Sequence, residues 1–154
     1  MLRTGLLRSS EVNSAMAKPK VLFLCTGNSA RSQMAEGCLR HAAGDKYEAL
    51  SAGVEPKGLN PLAVEAMREI GIDISRHYSK NASTFLGTHI FCVITVCDNA
   101  RERCPIFPGA NKVLHWGFDD PAAAQGTQAE KLAVFRRVRD EIIARIQREL
   151  LATP

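Results

Sequence analysis

The chain has no apolar stretch long enough to span a bilayer, which excludes a membrane-spanning helix. Aromatic residues make up only 6% of it, and Lys and Arg never form a block. The 20 basic and 16 acidic residues leave a formal net charge of +4, yet the two signs are interleaved, most visibly near the C-terminus. A nucleic-acid partner requires a basic stripe with aromatic platforms, so that class gains no support. Paired histidines at ligand spacing are missing, and the five cysteines (25, 38, 92, 97 and 104) do not follow a zinc-knuckle pattern, so no metal is expected. Five is also an odd number for a disulfide framework. Thiols kept free in a reducing, cytoplasmic compartment fit better. Repeats, low-complexity segments and linkers are absent as well. What remains is 154 residues, 45% hydrophobic and 23% charged, the make-up of one globular domain with a substantial core.

Residues 1–15, MLRTGLLRSSEVNSA, differ from the rest. They show no sustained period, no long apolar core and no small-residue cleavage site of a secretory signal. Arg3, Arg8 and the serines faintly resemble an organelle transit peptide. A disordered extension over residues 1–18, with Met16 as the natural start, is the simpler expectation, and the folded domain is expected over residues 19–150.

The most informative segment is residues 21–31, VLFLCTGNSAR. A strand-type run, Val21 to Leu24, delivers Cys25 to a loop of Thr26, Gly27, Asn28, Ser29 and Ala30. Arg31 comes six residues after the cysteine, and Ser32 opens a stretch that reads as a helix start. Successive backbone N–H groups of a tight loop that converge on a helix N-terminus form a concave anion site. Arginine at the rim adds a planar fork for a tetrahedral oxyanion. A cysteine in that positive field is favoured as its thiolate. The pattern is that of a nucleophile aimed at phosphorus, or at something shaped like phosphate.

Strand and helix signals alternate through the remainder. Strands are expected at Lys20–Leu24, Glu48–Ala52, His89–Val96 and Lys112–Trp116, the third being apolar and β-branched like a central parallel strand. The first helix runs to about Ala43. Asn60 and Pro61 start a second, whose apolar face is Leu62, Met67 and Ile70 before Gly71. Residues 81–87 read as one short helix. Leu132, Phe135, Val138, Ile142, Ile146 and Leu150 mark a long amphipathic helix over Gln128–Leu150. This order implies a doubly wound parallel sheet with ligands at the C-terminal ends of its strands. Cys25, Cys97 and Trp116 each end a predicted strand, so the loops that follow them should converge on one face.

After the third strand comes VCDNARERCP, with Cys97 and Cys104 seven residues apart. Thiols at that spacing face each other across two turns of helix, or approach directly if the segment loops. Beside a nucleophilic thiolate, such a pair suggests a relay: one thiol attacks a cysteine adduct and the next resolves the resulting disulfide. Asp98, Asn99, Arg101, Glu102 and Arg103 separate them, so the segment should be exposed, and Cys104 must travel to reach a partner protein. Cys92, mid-strand, and Cys38, mid-helix, are assigned to packing. A third piece, HWGFDDPA, supplies a general acid to assist a departing oxyanion. Asp120, directly before Pro121, is the candidate and Asp119 its competitor.

The segments CTGNSARSQMAEG, SAGVEP, TVCDNARERCP and HWGFDDPA, in this order, resemble the thioredoxin-coupled arsenate reductases, whose fold is that of the low-molecular-weight protein tyrosine phosphatases. The resemblance covers essentially all of residues 19–150. It implies a single-domain α/β fold, a four-stranded parallel sheet flanked by helices. It implies that Cys25 attacks arsenate held by the backbone of residues 26–30 and by Arg31, that Asp120 protonates the departing oxygen, and that Ser32 hydrogen-bonds the Cys25 thiolate. Cys97 would then attack the Cys25–arsenic adduct, releasing arsenite and leaving a Cys25–Cys97 disulfide. Cys104 would resolve this to Cys97–Cys104. That pair favours thioredoxin as electron donor over a glutaredoxin or a small thiol, because it delivers a protein disulfide. Phosphate, matching arsenate in charge and shape, is expected as a competing anion. No cofactor is expected, and a monomer is the default.

The chain also departs from that pattern. Ala30 stands where many relatives carry a further cysteine, one outside the relay. Some relatives hold a potassium ion through residues matching Asn28, Glu36 and Ser51; here Lys80 falls where an acidic ligand is expected, and its ammonium is expected to replace the ion. One rival reading is a low-molecular-weight tyrosine phosphatase. It would share Cys25, Arg31 and the Asp-Pro acid, but it has no need of Cys97 and Cys104 and usually follows Asp-Pro with an aromatic, where Ala122 stands here. The other rival, a non-catalytic oxyanion-binding module, needs the loop but not a reactive thiol.

Overall fold

The computed structural model describes residues 17–152, so the expectations for residues 1–16 lie outside the described residues. Four strands, β1 (Lys20–Cys25), β2 (Glu48–Gly53), β3 (Ile90–Thr95) and β4 (Ala110–His115), form one parallel sheet in the order β2-β1-β3-β4. The helices are α1 (Arg31–Ala43), α2 (Pro61–Arg68), α3 (Asp98–Arg103) and α4 (Gln128–Ile146), with a π turn over Gln147–Leu151 continuing α4. Short 3-10 turns occupy Ala82–Phe85 and Pro121–Ala123. The α/β architecture is the expected one.

The two central strands explain the order. Val21–Leu24 and Cys92–Ile94 are fully buried, as a parallel strand covered on both faces must be. At the edge, β4 exposes Asn111, Lys112 and Val113. Its exposed start carries no apolar signature, and so it begins at Ala110, two residues before the expected Lys112. Trp116 lies just beyond β4, buried, its N–H donating to Thr95 O at 2.8 Å.

Helices α1, α2 and α4 pack against one another. In α4, Phe135, Val138, Ile142 and Ile146 are buried, and a capping box of Thr127 and Glu130 fixes its start. In α2, Asn60 Oδ1 accepts from Leu62 N–H at 2.8 Å with Pro61 at the first turn, as expected. Its inward face is Ala63, Ala66 and Met67 rather than the predicted stripe through Ile70. The helix stops at Arg68 and the chain reverses at Gly71 (φ 81°), which leaves Ile70 in the turn and exposed.

The chain leaves β1 toward β2 and leaves β3 toward β4, on opposite sides of the sheet's midline. The reversal between β1 and β3 opens a crevice at the carboxyl ends of these two strands. Cys25 closes β1 there, and Cys97 follows β3 by two residues.

Candidate active site

The loop leaving β1 wraps around the start of α1. Ala30 occupies the N-cap position with no side-chain cap, and the first turn of α1 carries no acidic residue. The leading N–H groups of the helix are therefore available to an anion. Asn28 takes the left-handed conformation (φ 48°), which Asn tolerates better than most residues. Gly53, at the end of β2, lets the loop pass close by: an added Cβ would lie 2.7 Å from Thr26 O and 2.8 Å from Asn28 N.

Cys25 is 2% exposed, and its sulfur has two hydrogen-bonding neighbours. Asn28 N–H donates to Sγ at 3.2 Å, and Ser32 Oγ lies 2.8 Å away. Asn28 Nδ2 donates to Ser32 Oγ at 2.7 Å, leaving the serine hydroxyl proton free to point at the sulfur. A thiolate there is met by two donors. Asn28 is in turn held from outside the loop: its Oδ1 accepts from Gln33 Nε2 (3.1 Å) and from Lys80 N–H (2.9 Å), and its carbonyl accepts from Ser79 Oγ (2.7 Å). His77 completes the set. Its Nδ1 donates to Gln33 Oε1 (2.9 Å) while Nε2 accepts from Arg40 (3.0 Å), an arrangement that needs the neutral ring. Burial, first of all, holds its pKa below the ordinary histidine value, with Arg40 and Lys80 adding to the shift and Glu36 opposing it.

A cavity of about 230 Å³ lies over the loop, lined by Cys25, Thr26, Gly27, Ser29, Ala30 and Arg31 from the predicted set, together with Asp120, Ala122 and Lys57. Asn28, expected among the anion-binding residues, lies beneath the cavity, fully buried, and faces Cys25 instead. Arg31 Nη1 donates to Phe118 O at 3.1 Å, which fixes the guanidinium under the loop after β4. Its Nη2 is 3.7 Å from Asp120 Oδ2. Asp120 also caps the following turn by accepting from Ala122 N–H at 3.0 Å. Its competitor Asp119 pairs outward with Arg137 at 3.3 Å and does not line the cavity. Lys57 went unnoticed in the sequence. Its N–H donates to Gly27 O at 2.9 Å, which draws the loop after β2 against the cradle and adds a cation to the mouth. The only clue was a basic residue in the loop that follows a strand's C-terminal end.

The second thiol meets the first loop. Cys97 Sγ lies 3.3 Å from Thr26 Oγ1, the hydroxyl of the residue next to Cys25, and Asn99 Nδ2 donates to the same hydroxyl at 2.9 Å. Cys97 is also the N-cap of α3, its sulfur accepting from Ala100 N–H at 3.3 Å. Cys104 follows the last residue of α3 in an extended conformation and is half-buried, which pushes its thiol pKa up. The segment between them is helical, not looped, and its polar residues are exposed as expected. Burial drives Cys38 up to about 12 and Cys92 up to about 11, as befits thiols with packing roles.

The residues that the resemblance associates with potassium gather around Glu36. Its Oε1 accepts from Ser51 Oγ at 2.6 Å and its Oε2 from Arg40 at 2.5 Å. Lys80 Nζ lies 3.9 Å from Oε1 and donates to Tyr78 O at 2.7 Å. The carboxylate and the hydroxyl thus satisfy one another beside two resident cations, and the set does not fit a bound potassium ion.

Comparison with known proteins agrees with this geometry. The family model of the low molecular weight phosphotyrosine protein phosphatases matches residues 20–153. The arsenate reductase of Shouchella clausii (strain KSM-K16) is 53% identical over 133 residues, 86% of this chain and 96% of its own. A solved arsenate reductase in the phosphate-binding state superposes with a TM-score of 0.73 at 32% identity, over 84% of this chain and 95% of its own. A thioredoxin-dependent arsenate reductase of Corynebacterium glutamicum does so with a TM-score of 0.67 at 30% identity, over 95% of this chain and 67% of its own. The chain belongs to the low molecular weight phosphotyrosine protein phosphatase family, and arsenate reductases are among its relatives.

Proposed function

We propose that the chain is an arsenate reductase that works by a three-thiol relay and is regenerated by thioredoxin. The observation that carries this is the second thiol at the cradle: Cys97 Sγ stands 3.3 Å from the hydroxyl of Thr26, the neighbour of Cys25. A phosphatase needs the cradle, the arginine and the acid, but no second sulfur beside its nucleophile. Arsenate would sit on the loop N–H groups and the Arg31 fork, with Lys57 at the mouth. Cys25 attacks arsenic, and an oxygen leaves as water with a proton from Asp120. Cys97 then attacks Cys25 Sγ, and the sulfur–arsenic bond breaks with its electron pair passing to arsenic. Arsenic(V) becomes arsenite, and a Cys25–Cys97 disulfide is left.

The next step demands motion. Across a helix rising about 1.5 Å per residue, Cys97 and Cys104 stand roughly 10 Å apart, whereas a disulfide needs Cα atoms within about 7 Å. So α3 must unwind for Cys104 to attack Cys97 and free Cys25. Six residues with only Ala100 buried make a helix weak enough to do so. The external dithiol then reduces Cys97–Cys104. Phosphate, isosteric with arsenate, competes for the cradle but cannot accept the two electrons. Free thiols suit a reducing cytoplasm, and every group named comes from one chain, so a monomer suffices.

The test is NADPH oxidation by the protein with thioredoxin and thioredoxin reductase, with and without arsenate. Arsenate-dependent oxidation that ceases in Cys97→Ser is the expected result. Absence of oxidation, with hydrolysis of an aryl phosphate instead, would overturn the reading in favour of a phosphatase.

A further inference from the structure

We infer that Lys57 is the residue that captures the oxyanion, its ammonium selecting a highly charged tetrahedral ion at the mouth of the cradle; the inference deepens the reading above and rests on it. The loop N–H groups and Arg31 belong to the cradle itself. Lys57 reaches the same cavity from the loop after β2, as an exposed cation on its lining.

The backbone around Lys57 is fixed to the cradle. Glu55 N–H donates to Thr26 O (2.8 Å), Lys57 N–H to Gly27 O (2.9 Å) and Asn60 N–H to Ser29 O (2.9 Å). Gly58, left-handed at φ 92°, turns the chain directly after Lys57, and its N–H donates to Ser79 Oγ at 2.9 Å. Three carbonyls of the cradle thus face the Lys57 loop. In a trans peptide the following N–H points the opposite way. The same bonds therefore turn the N–H groups of residues 27, 28 and 30 away from that loop, and that of Asn28 ends on Cys25 Sγ. One loop both orients the donors and carries the cation.

The side chain lies along the cradle too. A Cβ added to Gly27 would stand 3.3 Å from Lys57 Cδ and 3.4 Å from its Cβ and Cγ, so the aliphatic stem rests on the bare glycine. A packed stem beneath a hydrated head is the usual compromise of a lysine at a surface. Here that surface is the wall of the cavity.

Charge decides what such a cation is for. The ionisable residues on the lining are Cys25, Arg31, Lys57 and Asp120. In the attacking state Cys25 is a thiolate and Asp120 carries the proton it will give, so Arg31 does no more than balance Cys25. Arg31 is also held by Phe118 O and faces Asp120. Lys57 is the surplus positive charge. It forms no ion pair among the described residues; Glu55, the one carboxylate of residues 54–59, pairs with Arg103 at 2.8 Å. An oxyanion with close to two negative charges then meets net attraction instead of the thiolate's repulsion. Arsenite leaves as uncharged arsenous acid near neutral pH, and an ammonium at the mouth finds no charge on it to retain. The cation that holds the substrate lets the product go.

The experiment compares wild type with Lys57→Gln, Lys57→Arg and Lys112→Gln at mildly alkaline pH. Lys112, exposed on β4, controls for a positive charge lost elsewhere. Two quantities are read. One is steady-state arsenate reduction. The other is protection of Cys25 by inorganic phosphate against alkylation by iodoacetamide, followed at that residue by mass spectrometry. For Lys57→Gln, KM for arsenate and the phosphate concentration that half-protects Cys25 should each rise about tenfold, equivalent to about 1.4 kcal/mol. The loss should fall on KM rather than kcat, as for a charge that acts on bound substrate and transition state alike. Lys57→Arg, which keeps the charge, should hold both values within about threefold of wild type. Lys112→Gln should match wild type. Unchanged KM and unchanged protection in Lys57→Gln overturn the capture role, as does an equal loss in Lys112→Gln or a loss confined to kcat. Failure of wild type to reduce arsenate, with phosphate protection still weakened in Lys57→Gln, would instead overturn the function proposed above and leave the oxyanion site standing.

Discussion

The loop at residues 25–31 and the segment at residues 97–104 both present cysteines to one crevice, yet they are built in opposite ways. The loop is held from many sides. Asn28 alone is hydrogen-bonded to Cys25, Ser32, Gln33, Ser79 and Lys80, and most of the loop is buried. The segment is a six-residue helix with one buried side chain, tied at its start by His115 Nε2 to Asp98 (2.9 Å) and at its end by Arg103 to Glu55 (2.8 Å). A site that stabilises developing charge works best when its donors are already in place. A thiol that must resolve a disulfide roughly 10 Å away in helical geometry has to be free to move. In the proposed relay, a braced cradle at one end and a weak helix at the other serve the same mechanism.

Removing one thiol from each region separates the two roles most sharply. Cys25→Ser should abolish arsenate reduction altogether, including the first turnover. Cys104→Ser should release one arsenite per enzyme and then stop with thioredoxin as donor. Quench-flow measurement of arsenite against enzyme concentration checks both, and steady-state turnover by Cys104→Ser would mean that the segment is not the resolving element. Asn28→Ala comes next. It leaves Ser32 without the donor that orients it and forces alanine into a left-handed conformation. Orphaned buried groups cost about 1–3 kcal/mol, so kcat/KM should drop about ten- to a hundredfold, with the far-UV circular dichroism spectrum unchanged.

A smaller effect comes from His77, which braces the loop through Gln33. Its pKa in the folded chain is depressed, first by burial. As pH falls through the ordinary histidine range the unfolded chain takes up a proton that the folded chain refuses. The stability contributed by the neutral ring is therefore complete above a pH of about 6.5 and is lost as the solution becomes more acid. The slope for one proton is at most about 1.4 kcal/mol per pH unit. His77→Gln should flatten this limb, and denaturant unfolding at several pH values between neutral and mildly acid would measure it. An unchanged limb would assign the acid sensitivity to another group.

The two regions also differ in how far they could be read from the residues alone. Strand, cysteine, glycine-containing loop and arginine lie in one continuous run, so the cradle was legible in the residues, while the pairing of Cys25 with Ser32 was implied by the family resemblance. Its bracing was not. Tyr78, Ser79 and Lys80 reach Asn28 or Gln33 from more than forty residues away, and no local pattern announces such contacts. Lys57 was missed because nothing but its place after a strand connects it to the cavity. The competition between Asp119 and Asp120 is resolved by Arg137, a residue of the distant helix α4. In the second region the spacing of Cys97 and Cys104 allowed a helix or a loop, and the choice depends on caps: Cys97 itself caps α3, a role that cysteine seldom signals. Edge strand β4 began earlier than expected because its outward residues are polar or exposed, and apolar patterning is the signal by which strands are found.

The last prediction joins the two regions. Arg103 directly precedes Cys104, and its partner Glu55 belongs to the loop after β2, where the Glu55 N–H donates to Thr26 O at 2.8 Å. The Arg103–Glu55 pair thus ties α3 to the cradle. Both side chains are about half exposed, so the pair contributes no more than about 1 kcal/mol. Arg103→Ala should favour unwinding of α3 by that margin, and formation of the Cys97–Cys104 disulfide in a single turnover should quicken by no more than about fivefold. Anion affinity, read from phosphate inhibition, should stay the same, because Glu55 keeps its backbone bond to Thr26 without the arginine. High salt should mimic the substitution in wild type and have little further effect on the variant. A slower disulfide step in Arg103→Ala would show that α3 must remain latched for Cys104 to reach its target, and the contrast between a rigid cradle and a yielding relay would have to be redrawn around that contact.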